Sequence, residues 1–446
     1  MKHMPIVVAL VSAFLLTGGI LSAQDSVPSG PLTLHDAIDL SLKNSKQLRI
    51  SKAKVDEATA VTRQAEDARL PDLKVSGSWL GVTQPDINVG IKAPPGSNSG
   101  GLNLSEIKVN EAAYGLANLS IPLFSGFRVR YGIQSAKFLE KAAELNAGND
   151  REAVILNTIN AYANLYKAHI NVALLQENLA ESKRRDSDFM NMERNGLLAR
   201  NDLLKAELQT STIEYNLVDA QEQEKIATVN MNLLLGLPEQ SMLEPDTTSF
   251  QQSPQLQTID TYEKAALQNR KDLTALHYQA KAAEADVHTA HSDYFPGIAL
   301  TGGYIAADIP NLFSVYNAVT YGVGLQYNLS AFWKNGAKVD QAKARQREIA
   351  ADQDLLDDNI RLQVNQAYAD YYSALKKIDV SRMAIEQGEE NYRITRNKYN
   401  NSLATMTDLL DANVSLLQAR INLETAKADA IVAYNTLLER TGTLSP

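Results

Sequence analysis

The residues NGLLARNDLLKA at 195–206 have a second copy, NSLATMTDLLDA, at 401–412. Each copy contains an Asp followed by two leucines, Asp202 in the first and Asp408 in the second, and each lies between long runs without proline. Asn, Gly and Ser between periodic segments favour turns. We therefore interpret each copy as the turn of a long helical hairpin, which makes the chain two copies of one unit.

The repetition extends along the whole chain, which is typical of an internally duplicated protein. Four residues recur in the same order in both halves: Asn44, Pro71, Tyr162 and Gly236 in the first, and Asn269, Pro296, Tyr368 and Gly442 in the second. The distance along the chain between a residue and its counterpart in the second half falls from 225 to 206 residues. The reason is that the segment between the first pair of strands is longer than the matching segment of the second half. We divide the chain into a signal at 1–23, a first repeat at 24–240 and a second repeat at 241–446.

Composition excludes several classes of function. The chain has 446 residues, a formal net charge of −9 and no cysteine. The acidic balance and the lack of a basic block argue against a nucleic-acid partner. The lack of cysteine excludes disulfides, thiolate metal sites, a cysteine nucleophile and a lipidated N-terminal cysteine.

The first 23 residues predict a secretory signal. Lys2 supplies positive charge, residues 6–16 are apolar, and Leu21-Ser22-Ala23 ends in small residues, so we place the cleavage after Ala23. An N-terminal anchor helix is the alternative, but the apolar run is short for a spanning helix. No later run of 18 apolar residues occurs, so a membrane role would require β-structure or a peripheral contact.

Each half predicts helix, strand, strand, long helix, turn and long helix. The first helices are expected at 33–69 and 257–294, the strands at 73–80, 118–123, 298–304 and 321–329, and the long helices at 133–193 and 337–398. The strands alternate large apolar with small or polar residues, which fits a strand between lipid and water and equally a half-buried soluble sheet. The connecting loops are expected at 92–103 and 307–318.

The long helices are too long for a globular core, since about 60 residues span roughly 90 Å. Apolar residues recur at coiled-coil spacing, which predicts a continuous seam against a partner helix. The predicted seam positions are Ile360, Val364, Ala367, Tyr371, Leu375 and Ile378, followed on the return helix by Leu410, Val414, Leu417, Ile421, Ala428, Ile431 and Leu438.

With these elements in place, the sequence resembles the TolC-like outer-membrane channel proteins of Gram-negative bacteria. The resemblance covers essentially all of the chain after the signal. It is carried by the repeat, by LTLHDAIDLSLKN ending at Asn44, by the prolines before the strands, by IPLFSG at 121–126, and by the two Asp-Leu-Leu turns.

The resemblance implies a mostly α fold with a small β part. Three protomers would pool four strands each into a 12-stranded barrel in the outer membrane, and their coiled-coil helices would form a hollow barrel reaching into the periplasm. It also implies the exit duct of a tripartite efflux system, with an inner-membrane transporter, a periplasmic adaptor and outer-membrane lipid as partners. A type I protein secretion duct is an alternative, and a periplasmic coiled-coil adaptor or structural protein is an alternative of another class.

The resemblance places the periplasmic gate at the turns. Asp408 and Asp411 match the gate aspartates of the family, and Tyr399 matches a gate tyrosine. Ala404 stands where the family pattern has an arginine, so Arg200, beside Asp202, is a candidate substitute. The alternative role for both Asp202 and Asp408 is that of a helix cap or first-turn acid.

The same turns are expected to contact the adaptor through their most exposed residues. These are Gly196, Leu197, Ser402 and Leu403, although Gly196 is also explained by turn geometry alone. Aromatic residues near the strand ends are expected either at the bilayer interface or in ordinary packing: Trp79, Tyr114, Tyr304, Phe332 and Trp333.

Nothing in the sequence predicts an enzyme, a cofactor or a resident metal. There is no phosphate-binding loop, no nucleotide fingerprint and no sign of a buried carboxylate pair. His288 and His291 are one helical turn apart, a spacing that can bind a metal. Such a pair more often lies on a solvated helix face, which is the interpretation we prefer.

Overall fold

The computed structural model describes residues 30–83, 109–250, 254–310 and 313–445. The predicted signal at 1–23 and the predicted loop at 92–103 lie outside these ranges. The first half contains α1 (Leu34–Asn44), α2 (Lys46–Asp67), β1 (Asp72–Gly81), β2 (Glu111–Ser125), α3 (Arg128–Arg194) and α4 (Arg200–Leu235). The second contains α5 (Ile259–Asn269), α6 (Lys271–His291), β3 (Gly297–Ile309), β4 (Phe313–Gln326), α7 (Ala331–Lys334), α8 (Gly336–Asn400) and α9 (Met406–Arg440).

The first helix of each half is broken, which corrects the single helices predicted at 33–69 and 257–294. The break falls at Ser45, with ψ 121°, and at Arg270, with ψ 123°, so both backbones leave the helical region. The Ser45 hydroxyl accepts a hydrogen bond from the Leu48 N–H at 3.2 Å and so caps α2. Neither break contains a proline or glycine, and sequence periodicity therefore does not reveal it.

The return helices end at these breaks, which explains two of the repeated residues. Gly236 follows α4 with φ +73°, and the Asn44 side-chain amide donates to the Leu235 carbonyl at 2.7 Å. In the second half Gly442 has φ +67° and lies against the Asn269 backbone. Each junction therefore needs a residue without a Cβ, because the backbone is left-handed and the neighbouring chain is close.

The four strands form one antiparallel sheet in the order β1-β2-β3-β4. Residues paired across an antiparallel ladder share a face. Leu73 pairs with Leu119, which pairs with Gly302, which pairs with Tyr321, and this row belongs to the large apolar face predicted from the alternation. We call this the apolar face of the sheet.

Three strand predictions need correction. β2 extends from residue 111 rather than 118, because pairing with β1 and β3 orders a small-residue stretch that has no clear alternation. Most of the predicted loop at 307–318 is strand, and β4 ends at Gln326, which leaves Tyr327 and Leu329 beyond it. The register adds a fact that the sequence analysis did not address: Tyr114 pairs with Ser78 and so lies on the face opposite to Trp79.

The long helices are confirmed and are slightly longer than predicted. α3 has 67 residues and α8 has 65, or about 100 Å each at 1.5 Å per residue. α4 and α9 pair with them along the half next to the turns, while α2 and α6 pack along the half next to the sheet. None of the helices in the described ranges is both long enough and apolar enough to cross a membrane.

The predicted seam is correct for α8 and partly wrong for α9. In α8 the seam residues are buried, except for the half-buried Leu375. In α9, Val414 is 43% exposed, whereas Asn413 and Leu416 are buried. The buried stripe of α9 is displaced because this helix contacts α3 as well as α8.

Candidate functional site

The two hairpin turns pack against each other through one apolar cluster. We call it the tip cluster; its buried residues are Phe189, Leu203, Ala206, Met406, Leu409 and Leu410. The half-buried Tyr399 packs on it, with its ring 5.8 Å from the ring of Phe189. Because the cluster draws on α3, α4 and α9, burial of these apolar side chains fixes the position of one turn relative to the other.

The first turn closes with the hydrogen bonds of a helix C-terminus. The Leu197 N–H donates to the Met192 carbonyl at 2.8 Å, and the Gly196 N–H donates to the Glu193 carbonyl at 2.9 Å. Gly196 has φ +72°, so turn geometry is sufficient to explain the glycine. Leu197 is 73% exposed, as predicted for the tip.

The second turn has the same shape without a glycine. Ser402 takes the left-handed position with φ +61°, and the Leu403 N–H donates to the Lys398 carbonyl at 2.8 Å. Leu403 is 76% exposed. Both turns therefore present one leucine to solvent at the equivalent place.

Asp408 caps α9, the alternative role foreseen for it. The Thr405 N–H donates to Asp408 Oδ2 at 2.8 Å, and the Asp408 N–H donates to Thr405 Oγ1 at 3.2 Å, forming a reciprocal capping box. Hydrogen bonds from the Thr405 hydroxyl and backbone lower the pKa of Asp408. The carboxylate thus stays ionised, and its pore-facing role stays a prediction.

Asp411 lies one helical turn beyond Asp408 and is also exposed. Leu409 and Leu410 between them are buried in the tip cluster, so the two carboxylates share the opposite, solvated side of α9. α9 can therefore present two negative charges together at the turn, and their role in a gate stays a prediction.

The structure brings Asp202 close to Tyr399. Burial raises the pKa of Tyr399, and the charge of Asp202 adds to that rise. The Lys205 ammonium lies 3.4 Å from Asp202 Oδ1. Arg200 is directed instead toward Glu193 in its own hairpin, at 3.9 Å, so its substitution for the missing gate arginine stays a prediction.

Sequence reasoning missed a second set of contacts between the hairpins, above the tip cluster. Arg420 of α9 lies 3.8 Å from Glu177 of α3 in the other hairpin, and 3.3 Å from Glu389 of α8 in its own hairpin. The Tyr392 hydroxyl donates to Glu181 at 2.9 Å. Together they line a cavity of about 250 Å³. In the sequence these charged residues are indistinguishable from a solvated helix face, because their partners lie on other helices.

The histidine pair makes ring contacts. His288 stacks on Tyr131 with 4.7 Å between ring centroids, and His291 lies 6.1 Å from Tyr294. Within the described ranges no group of three or more His, Cys, Asp or Glu residues is placed to hold a metal ion.

Comparison with known proteins gives the same architecture. The solved structure of the outer membrane protein VceC from Vibrio cholerae superposes with a TM-score of 0.75 at 21% identity, covering 92% of this chain and 96% of VceC. The outer membrane efflux protein BepC of Brucella suis is 23% identical over 444 residues, which is 98% of this chain and 90% of BepC. The alkaline protease secretion protein AprF of Pseudomonas aeruginosa is 23% identical over 453 residues, which is 98% of this chain and 88% of AprF.

The family model described as outer membrane efflux protein matches residues 37–237 and 263–443. These two ranges contain both hairpins, all four strands and both turns. The chain therefore belongs to the outer membrane efflux protein family.

Proposed function

We propose that the chain is the exit duct of a tripartite efflux system. It passively conducts substrates that an inner-membrane transporter and a periplasmic adaptor deliver, and energy comes from the transporter. The observation that carries this proposal is the match of the efflux family to both halves of the chain. The name of BepC, an outer membrane efflux protein, supports it as well.

Family membership places the chain in the outer membrane, among efflux and channel proteins rather than enzymes. It also argues against the alternative of a periplasmic adaptor.

We infer a homotrimer. β1 and β4 each pair with a single strand among the described residues, and four strands are too few to close a barrel. Three copies would join these edges into a 12-stranded barrel and leave no free edge. The long helices of three copies would form the tube that continues it into the periplasm.

We propose that the turns form the periplasmic gate. Three copies of Asp408 and Asp411 around a threefold axis would concentrate negative potential in a narrow opening, which favours cations. Tyr399 lies near Asp202 and packs on the tip cluster, to which Leu409 and Leu410 of the same protomer belong. Arg200 begins α4 beside the first turn, and in a trimer it would bond to carboxylates of a neighbouring protomer in place of the missing gate arginine.

Opening would require the hairpins to separate. Such a motion would break the contacts of Arg420 with Glu177 and of Tyr392 with Glu181, and it would also separate the two sides of the tip cluster. The exposed ion pair of Arg420 with Glu177 contributes only about 0–1 kcal/mol, so the larger part of the resistance to opening would come from the tip cluster.

The adaptor would dock on the exposed parts of the turns. Leu197 and Leu403 present apolar surface at equivalent places, beside Gly196 and Ser402. Replacing both leucines by Ser is expected to weaken adaptor binding and leave the trimer intact. Loss of the trimer would show instead that these leucines are structural.

Planar-bilayer conductance tests the duct and its gate. The Asp408→Ala/Asp411→Ala double variant should lower the preference for cations and weaken block by divalent ions. Thr405→Ala is the matched control, because it removes the hydroxyl that accepts from the Asp408 N–H and keeps both carboxylates.

The outcomes separate the parts of the proposal. A selectivity change in the Asp double variant but not in Thr405→Ala supports the gate. Equal changes in both would assign the effect to the helix cap. Cation-selective conductance steps that no variant alters would show that the gate lies elsewhere in the protein. No conductance from inserted trimers would contradict the duct.

A type I protein secretion duct is the second candidate, and the name of AprF favours it. Reconstitution with a transporter and adaptor of each kind distinguishes them, since only the correct set forms a stable three-component complex.

A further inference from the structure

A cationic cavity lies where the helices meet the sheet. We call it the junction pocket; it has a volume of about 470 Å³, and its lining includes Arg128, Asp293, Phe295, Asn328, Lys334 and Lys338. These residues come from the start of α3, the segment between α6 and β3, and the region from the end of β4 to α8. The pocket therefore forms only in the folded chain.

The pocket carries a surplus of positive charge. Asp293 is its single carboxylate, and two cations share it: Lys338 Nζ at 2.5 Å from Oδ2 and Arg128 Nη1 at 3.6 Å from Oδ1. Lys334 has no ion-pair partner among the described residues. Asn328 and the other polar side chains of the lining add hydrogen-bonding groups. Such a site favours an anion with several acceptor oxygens, such as a phosphate group.

Aromatic rings connect the pocket to the apolar face of the sheet. Phe295, in the lining, lies 6.5 Å from the ring of Phe127, which lies 5.2 Å from Phe124. Phe124 pairs with Ile298 and so points to the apolar face. A ligand that filled the pocket would therefore have a continuous apolar path beside its charged end.

A second aromatic contact flanks the pocket on the other side. Phe332 of α7 lies 6.0 Å from Tyr327, just beyond β4. Phe332 is 62% exposed and Trp333 is 72% exposed, while Ala331 and Asn335 are buried. α7 therefore presents two aromatic side chains to its surroundings next to the cation Lys334. Aromatic residues beside lysine at the end of an apolar band are typical of a membrane interface.

We propose that the junction pocket binds the phosphate head group of an anionic glycerophospholipid, with its acyl chains against the apolar face. Charge complementarity selects the phosphate, and the aromatic rings select a ligand with an apolar tail. A free anion passing through the duct would bind only the cations of the pocket, and the aromatic rings that lead to the apolar face would have no part in its binding. This inference rests on the proposed function in one respect, the placement of the apolar face against lipid.

Lipid retention by the purified trimer in detergent tests the proposal. Native mass spectrometry measures binding of phosphatidylglycerol and of zwitterionic phosphatidylcholine, with inorganic phosphate as a competitor. A lysine near an anionic lipid surface contributes about a fivefold increase in affinity. Lys334→Gln/Lys338→Gln should therefore bind phosphatidylglycerol about thirtyfold more weakly. Wild type should prefer phosphatidylglycerol.

The matched control is Lys343→Gln/Arg347→Gln, which removes two exposed cations of α8 outside the pocket lining. Retention of phosphatidylglycerol should stay at the wild-type level. An equal loss in both double variants would show general charge attraction and overturn the proposal. Should the first variant fail to assemble, Lys334→Gln alone gives the test, because it breaks no ion pair among the described residues and should cost about fivefold.

Two further results would also overturn the proposal. Equal retention of both lipids by the wild type would mean that the pocket does not distinguish lipids by the charge of their head groups. Displacement of phosphatidylglycerol by equimolar inorganic phosphate would mean a free-anion site. Conductance in phosphatidylcholine bilayers is measured separately. Its absence would refute the proposed duct, while the lipid readout would still stand on its own.

Discussion

Replacement of Gly236 by Ala tests the junction at which α4 ends against α1. Gly236 has φ +73°, a conformation that costs an L-residue about 1–2 kcal/mol. A Cβ built there would lie 2.9 Å from the Asn44 Cβ, which is too close, so α1 or Asn44 must shift. Weakening the bond from Asn44 to the Leu235 carbonyl would cost about 1 kcal/mol more. The total is about 2–3 kcal/mol per protomer.

The measurement is denaturant-induced unfolding of the trimer in detergent, followed by far-ultraviolet circular dichroism. Gly132→Ala in α3 is the matched control, because no atom lies within 4 Å of the added Cβ. Alanine stabilises a helix interior by about 0.5–1 kcal/mol relative to glycine, so this control should unfold at higher denaturant concentration. Gly236→Asn should fall between wild type and Gly236→Ala, since Asn tolerates the left-handed region better. A Gly236→Ala midpoint equal to or above that of wild type would refute the argument.

Four other changes give checks of the same kind. Gly442→Ala should lower the free energy of unfolding by at least as much as Gly236→Ala, because its Cβ would meet backbone atoms of Asn269 and Arg270 at 2.8–2.9 Å. A stability equal to that of wild type would contradict the same argument for the second junction. Leu203→Ala in the tip cluster should lower the free energy of unfolding by about 2–5 kcal/mol, whereas the 70% exposed Leu208→Ala should have little effect in the same denaturation series. The capping contribution of Asp408 should be complete above its ordinary pKa of 3.8 and lost as pH falls through its lower folded pKa, because protonation weakens the acceptor. Amide exchange at Leu409 should then rise in wild type and rise less in Thr405→Ala, where only the backbone N–H still donates to Asp408. Tyr392→Phe should raise the open fraction of single channels if the hairpins separate on opening, and an unchanged open fraction would remove Tyr392 from the gate.

The candidate site shows where sequence reasoning applies and where it stops. The exposed leucines at the turns and the capping role of Asp408 depend on residues within a few positions of one another, so they were predictable. The proximity of Asp202 to Tyr399 and the contact of Arg420 with Glu177 join residues about 200 positions apart or more, and the contact of Arg420 with Glu389 joins α9 to α8 across the second turn. No local pattern carries that information.

The duplicated architecture, the long hairpins, the faces of the strands and the family were all predictable from the order of the residues. These follow from short-range physics: proline ends helices, Gly, Asn and Ser make turns, and burial on one side of an element imposes its period on the apolar residues. The breaks at Ser45 and Arg270, the exposure of Val414 and the assembly of the junction pocket arise only when the helices and the sheet pack together. A period identifies which face of a helix is buried, but not which helix covers it. Which helix covers a given face depends on how all the elements pack together. The clearest example is that the return helices α4 and α9 end at the two breaks, beside Gly236 and Gly442.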